Sequence, residues 1–195
     1  YNYAVRFTRP TIWVACGLPA SGKSTIAREL SEEMDVGVIR SDEVRKKLFE
    51  ISGGQNIDAA FEEGIYSKGA SALTYGRIYL QAQEKLKKGE SVILDASFSR
   101  SRQREEVVRL AGDMDVNVLF VECRASMGTL KKRLWEREKK PGISDARLKH
   151  LENFVSRFEP LDDIREDLHI VVDTTVPLEK SMRQILFLDY VFESR

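Results

Sequence analysis

The chain has 195 residues, enough for one domain of ordinary size around a buried core. Lysine plus arginine and aspartate plus glutamate both total 31, so no overall field collects nucleic acid or an anionic membrane surface. With 42% hydrophobic and 32% charged residues, and no apolar run near the roughly eighteen residues of a membrane span, a globular cytoplasmic protein is expected.

The chain opens on Tyr1-Asn2-Tyr3, without an initiator methionine or a basic-then-apolar leader. Residues 1–10 are therefore expected to be a remnant of something upstream, and residues 11–195 the domain proper. Short apolar runs then alternate with helical patterns, which is the signature of a parallel sheet with crossover helices. The runs are Thr11 to Cys16, Val36 to Arg40, Ser91 to Asp95, Val116 to Cys123 and Leu168 to Asp173. Helical periodicity or capping marks Lys23 to Met34, Ser41 to Phe49, about Asp58 to Lys88, Arg102 to Gly112, Ser126 to Lys139, Asp145 to Phe158 and about Pro177 to Val191. The fold class read from this order is α/β: five parallel strands flanked by helices in three layers. In such sheets ligands bind beyond the carboxyl ends of the strands, which selects Gly17 onward, Ser41 to Asp42, Asp95 to Arg102, the residues after Cys123, and Thr174 to Thr175 for chemistry.

After the first strand comes GLPASGKS, Gly17 to Ser24, matching G-x-x-x-x-G-K-[ST] between a strand and a helix. Its glycines let backbone N–H groups turn inward as an anion nest at a helix N-terminus. Gly17, Ala20, Ser21, Gly22, Lys23, Ser24 and Thr25 are the expected contacts to a nucleoside triphosphate. Lys23 is expected to reach the β and γ phosphates, and Ser24 to give its hydroxyl to Mg²⁺. This phosphate-binding loop (P-loop), with its companions, makes the expected fold a P-loop NTPase. The D-x-x-G and N-K-x-D elements of a regulatory GTPase do not occur, and Ile51 to Gln55, which resembles a transporter signature, follows the P-loop too closely and reads as a turn.

Beyond the second strand, Ser41 can cap the next helix, and Asp42 and Arg45 stand three apart on one helical face over the ligand edge. Asp42 could accept the proton of an acceptor hydroxyl, or simply complement the helix N-terminus. Arg45 could hold an anionic acceptor. The long helical stretch that follows offers Glu62, Tyr66, Tyr75 and Arg77, with apolar Phe61, Leu73 and Leu80, as an acceptor wall; most of these also suit an ordinary helix face. Asp95 ends the third strand, where a carboxylate holds Mg²⁺, and Arg100, Arg102 and Arg104 follow it. At least one of the three is expected to face the acceptor, with Arg102 carried as the candidate and the choice among them open, and the rest to be solvated.

Cys16 and Cys123 lack metal-type spacing and read as buried thiols. Lys131 to Lys140 carries six basic and two acidic residues, and within it Arg133 and Arg137 are spaced i,i+4 on one face. One of the pair can stack on the adenine while the other reaches the transferring phosphate. The polar stretch at about 138–146, broken by Pro141-Gly142, reads as a lid or a plain surface loop, with Arg147 a weaker phosphate candidate.

GLPASGKST, IRSDEVRKKLF, SVILDASF, RLWEREKKPGISDARL and the RFEPLDD segment together resemble the small P-loop kinases of the AAA type, such as zeta-toxin and gluconate-kinase-like proteins. More narrowly, they resemble bacterial kinases often fused behind an aminoglycoside-phosphotransferase-like domain. The resemblance implies ATP and Mg²⁺ as cofactors, a catalytic base at Asp42, an acceptor contact at Arg45, and ATP binding by Arg133 and Arg137. Lys23 and Arg137 would stabilise the transferring phosphoryl group. The acceptor implied is a small molecule, with a polynucleotide 5′-hydroxyl and a regulatory module without transfer as alternatives. The upstream phosphotransferase-like domain is an expected partner, whereas a membrane is not, and nucleic acid is disfavoured by the neutral charge.

Overall fold

Thr11–Cys16 is buried at all six positions, which is what an uninterrupted apolar run dictates when both faces of a sheet are covered. The computed structural model describes residues 9–49, 68–139 and 148–192. Its strands are β1 (Thr11–Cys16), β2 (Gly37–Arg40), β3 (Val92–Asp95), β4 (Asn117–Arg124) and β5 (His169–Asp173). Its helices are α1 (Lys23–Met34), α2 (Ser41–Leu48), α3 (Lys68–Leu86), α4 (Ser101–Met114), α5 (Met127–Glu138), α6 (Leu151–Arg157) and α7 (Leu178–Phe192). All strand pairs are parallel, in the order β2-β3-β1-β4-β5.

Alternate side chains of each strand feed two cores. Ile12, Val14, Leu94 and Phe120 pack with residues of α2, α3 and α4. Trp13, Ala15, Ile93 and Val121 pack with Ile26, Ala27 and Leu30 of α1 and with Met182 and Ile185 of α7. The expected three-layer α/β fold is thus the one observed. A small third cluster joins Ala20 to Leu130 and Leu134 of α5 and to Leu151 of α6. Leu130 and Leu134, one turn apart, fix which face of α5 turns inward, and Arg133 rides beside them. No helix among the described residues is long and apolar enough to cross a membrane.

Two expectations change. Ser41 does not cap α2 but opens it, with Arg40 in extended geometry at the cap position and no side-chain cap bond. The stretch before Phe158 is a single 3-10 turn, Leu148–His150, leading into the short α6 rather than one long helix. Phe61, Glu62, Tyr66, Arg147, the Ile51 to Gln55 turn and most of the lid stretch lie outside the described residues. At the lid's described ends, the Leu148 N–H donates to the Glu138 carboxylate at 2.9 Å.

Candidate functional site

The turn from β1 into α1 needs three left-handed residues, Gly17 at φ 130°, Ala20 at 63° and Gly22 at 96°. Glycine is required at the first for a second reason: a Cβ there would stand 2.4 Å from the Cys123 carbonyl oxygen of β4. Gly22 caps α1 in this conformation, so the first N–H groups of the helix face the loop's concavity. The loop is held from its sides, with Gly17 N–H donating to the Ser97 carbonyl at 3.2 Å and Ser21 N–H to the Leu18 carbonyl at 3.1 Å. Lys23 reaches back across the turn and donates to the Leu18 carbonyl at 2.9 Å. Ser24 and Thr25 are exposed at the helix start.

Burial pushes the Lys23 ammonium below its ordinary pKa, against the opposing pull of Asp95, Cys123 and Asp42, with Arg137 adding a like charge. The two carboxylates and Arg137 are therefore within electrostatic reach of the P-loop lysine. Asp95 is 5% exposed, and its register partners are Ala15 on β1 and Arg40 on β2. Arg40 Nε lies 3.8 Å from Asp95 Oδ2, and its Nη1 lies 3.5 Å from Glu43. Nothing in the residue pattern singles out Arg40; only the parallel register brings it beside Asp95. Asp42 and Arg45 do share a face, 3.7 Å apart, with Arg45 buried and Asp42 partly exposed. Lys46 is buried as well.

Of the arginines after β3, Arg102 is exposed on the first turn of α4. Arg100 pairs with Glu159 at 2.9 Å. Arg104 is not solvated as the sequence suggested but 0% exposed. It donates to both Asp163 oxygens and to the carbonyls of Phe98, Glu159 and Pro160. It is a structural clasp between α4 and the RFEPLDD segment. Tyr75 is also structural: its hydroxyl accepts from Phe98 N–H at 3.1 Å and meets Ser97 Oγ at 3.3 Å. Leu73 and Leu80, expected in an acceptor wall, are 64% and 52% exposed on α3, with exposed Arg77 between them.

Arg133 and Arg137 line a pocket of about 180 Å³ with Ala20, Ile26, Thr174 and Val176. Arg133 donates from Nη1 to the Ala20 carbonyl and to Thr174 Oγ1, both at 3.1 Å, and from Nη2 to the Thr174 carbonyl at 2.6 Å. Its edge is thus engaged while its planar faces stay clear of those bonds. On the opposite side of β4, Glu122 is held by Arg124 at 2.8 and 2.9 Å and by His169 at 3.0 Å. Burial would raise the Glu122 pKa, but the hydrogen bonds from His169 and Arg124 outweigh it and bring it to about 2. Cys16 and Cys123 are free and buried. Burial raises both thiols, Cys123 to about 12, so neither is a nucleophile.

Magnesium at nucleotide sites takes one or two protein oxygens and otherwise phosphates and water. Asp95 and Ser24 are hard oxygen donors of that kind, and no cluster of three His, Cys, Asp or Glu occurs among the described residues. The donor set fits Mg²⁺ held largely by phosphates.

A family model described as an AAA domain matches residues 12–161. An uncharacterized protein of Mycobacterium tuberculosis is 29% identical over 168 residues, 86% of this chain and 32% of that protein. The chain thus spans about a third of the length of the curated relatives it matches. A gluconokinase from Sinorhizobium meliloti superposes with a TM-score of 0.66 at 19% identity, covering 97% of this chain and 96% of that one. Kti12 of Chaetomium thermophilum, in complex with ADP-AlF3, superposes with a TM-score of 0.70 at 16% identity, covering 94% and 98%. At such identities these likenesses show a shared fold.

Proposed function

The chain belongs to the AAA domain family, and from that premise we propose that it is an ATP-dependent phosphotransferase moving the γ-phosphoryl group to a hydroxyl of a small-molecule acceptor. The observation that carries the reading is the P-loop turn itself, with Gly17 and Gly22 at positive φ and Lys23 folded back over it, standing at the same sheet edge as Asp95 at the end of β3 and the Asp42–Arg45 pair at the start of α2. A phosphate-binding loop alone would bind nucleotide; a second carboxylate poised across from it adds what transfer requires.

The roles follow from position. The loop N–H groups and Lys23 hold the β and γ phosphates, and Arg137 offsets the charge on the transferring group. Ser24 and Asp95 hold Mg²⁺, which when bound neutralises the phosphate oxygens. Asp42 orients the acceptor hydroxyl and takes its proton as that oxygen bonds to the γ-phosphorus. The bond to the β–γ bridging oxygen then breaks, and ADP leaves. Arg45, paired with Asp42 in the structure, aims that carboxylate and meets an anionic group on the acceptor, with Arg102 farther out. Arg45 and Lys46 are buried rather than ranged along an open basic groove, which favours a small acceptor over a polynucleotide end.

The relatives' greater length leaves room for the phosphotransferase-like domain that the resemblance implies, and that fusion, like a cytoplasmic location, belongs to the proposal. The test is ADP release from Mg²⁺-ATP across nucleosides, sugars, aminoglycosides and a 5′-hydroxyl oligonucleotide. Release stimulated by one small-molecule class, and lost in Lys23→Ala, is the expected result. Tight ATP binding with no stimulation by any acceptor would instead identify a regulatory nucleotide-binding module, and stimulation by the oligonucleotide alone would identify a polynucleotide kinase.

A further inference from the structure

Thr174, the first residue after β5 and so at the sheet's ligand edge, engages the nucleotide pocket through both its hydroxyl and its backbone. Its Oγ1 donates to the Ser21 carbonyl at 2.6 Å, with the Arg124 carbonyl at 3.2 Å. Its N–H donates to the same Arg124 carbonyl at 2.9 Å, so the residue is pinned to the end of β4. Oγ1 and the Thr174 carbonyl together receive two bonds from the Arg133 guanidinium. A Cβ built on Gly22 would lie 3.0 Å from the Thr174 Cβ and methyl. One side chain therefore touches the P-loop, the cap of α1 and the arginine of the pocket.

Resting on the reading of this pocket as the ATP site, we propose that Thr174 is the positioning residue that fixes Arg133 as a stacking plate for the nucleotide base. Three of the five N–H donors of Arg133 are spent on Ala20 and Thr174. A guanidinium tied along its edge cannot swing toward the phosphates, and it presents its planar face instead. Arg137, one turn on, is left as the cation for the phosphates. The division of labour between two arginines at i,i+4 is thereby set from outside their helix, by a threonine on β5's exit loop. Without the hydroxyl, Arg133 keeps its charge and its bonds to the Ala20 and Thr174 carbonyls but loses the Oγ1 acceptor, while Thr174 loses its anchor on Ser21, so the plane is held less firmly and the base must do part of the ordering.

The test is direct binding of ATP and ADP to the full chain by calorimetry, with no turnover required. Thr174→Val removes the hydroxyl at nearly constant shape and should weaken ATP and ADP alike, by about 5- to 20-fold, because the base is common to both. Thr174→Ser keeps the hydroxyl and should recover most of that loss. In an Arg133→Ala background, Thr174→Val should cost less than about twofold, since the group it positions is gone. Affinity of Thr174→Val within about twofold of the parent would overturn the inference. So would a full loss persisting without Arg133, or a loss confined to ATP, both of which would place the action of Thr174 on the phosphate loop. A parent chain that binds neither nucleotide would overturn the ATP-site reading itself, a result distinct from these. Unfolding midpoints for each variant separate binding losses from misfolding, and Thr174→Ser carries the comparison if Thr174→Val does not fold.

Discussion

Replacing Arg104 with methionine keeps a long apolar stem on α4 and deletes a fully buried guanidinium. Six bonds go with it: two from Nε to Asp163 at 3.0 Å, one from Nη2 to Asp163 at 2.5 Å, and those to the carbonyls of Phe98 at 2.9 Å, Glu159 at 3.3 Å and Pro160 at 2.9 Å. Removing one partner of a buried ion pair costs roughly 3–5 kcal/mol, mostly because the other is left uncompensated. Asp163 is partly exposed and can recover water, which moves the expectation to the lower end. The three carbonyls, each worth about 1 kcal/mol, raise it again. Arg104→Met should therefore lose about 3–4 kcal/mol, or about 10 °C in Tm for a chain of this size. Urea unfolding followed by circular dichroism measures it. A loss under about 1 kcal/mol would show that the clasp is not what holds the 157–163 segment to α4.

Gly17→Ala should reduce affinity for a fluorescent ATP analogue by at least about 30-fold, because φ near +130° and a carbonyl oxygen at 2.4 Å leave a Cβ nowhere to go; binding within about threefold of the parent would contradict the loop geometry. Glu122 is depressed from its ordinary 4.5 to about 2, so its contribution is full above about pH 4.5 and is lost as pH falls toward 2. At ~1.4 kcal/mol per tenfold change in proton affinity the ceiling is about 3 kcal/mol, and with the Arg124 side chain 59% exposed screening leaves about 1–2 kcal/mol. Glu122→Gln should therefore be less stable than the parent at pH 7, with the gap closing as pH drops through 4; an unchanged gap would refute the pairing. Arg133→Ala should weaken ATP binding by ~1–2 kcal/mol, read by titration, and unchanged affinity would remove Arg133 from the site.

The sheet was legible because its runs are buried on both faces. Thr11–Cys16 and Lys23–Met34 carry the same bounds in sequence and structure, and the other strands differ by a residue at one or both ends. The P-loop was legible because each of its residue types answers a backbone demand, glycine for a positive φ and lysine for a phosphate. Arg104 was not: three arginines at alternate positions look alike in sequence, and only the docking of a segment some sixty residues later tells the buried one from the exposed one. Arg40 was missed as a site residue, and Thr174, which the rule of the strands' carboxyl ends does select, carried no assignable role, for a related cause. Their neighbours, Asp95 and the Ala20-Ser21 turn, are set by parallel register and by the exit loop of β5.

The most direct test of phosphoryl transfer is incorporation of label from γ-labelled ATP into product, with an acceptor mixture and Mg²⁺, by the parent chain and by Asp42→Asn. The expected result is labelled product from the parent and a rate at least about 100-fold lower in Asp42→Asn, with ATP affinity unchanged. Equal rates in the two would contradict the role of Asp42, and no labelled product from a parent chain that binds ATP tightly would contradict phosphoryl transfer to these acceptors.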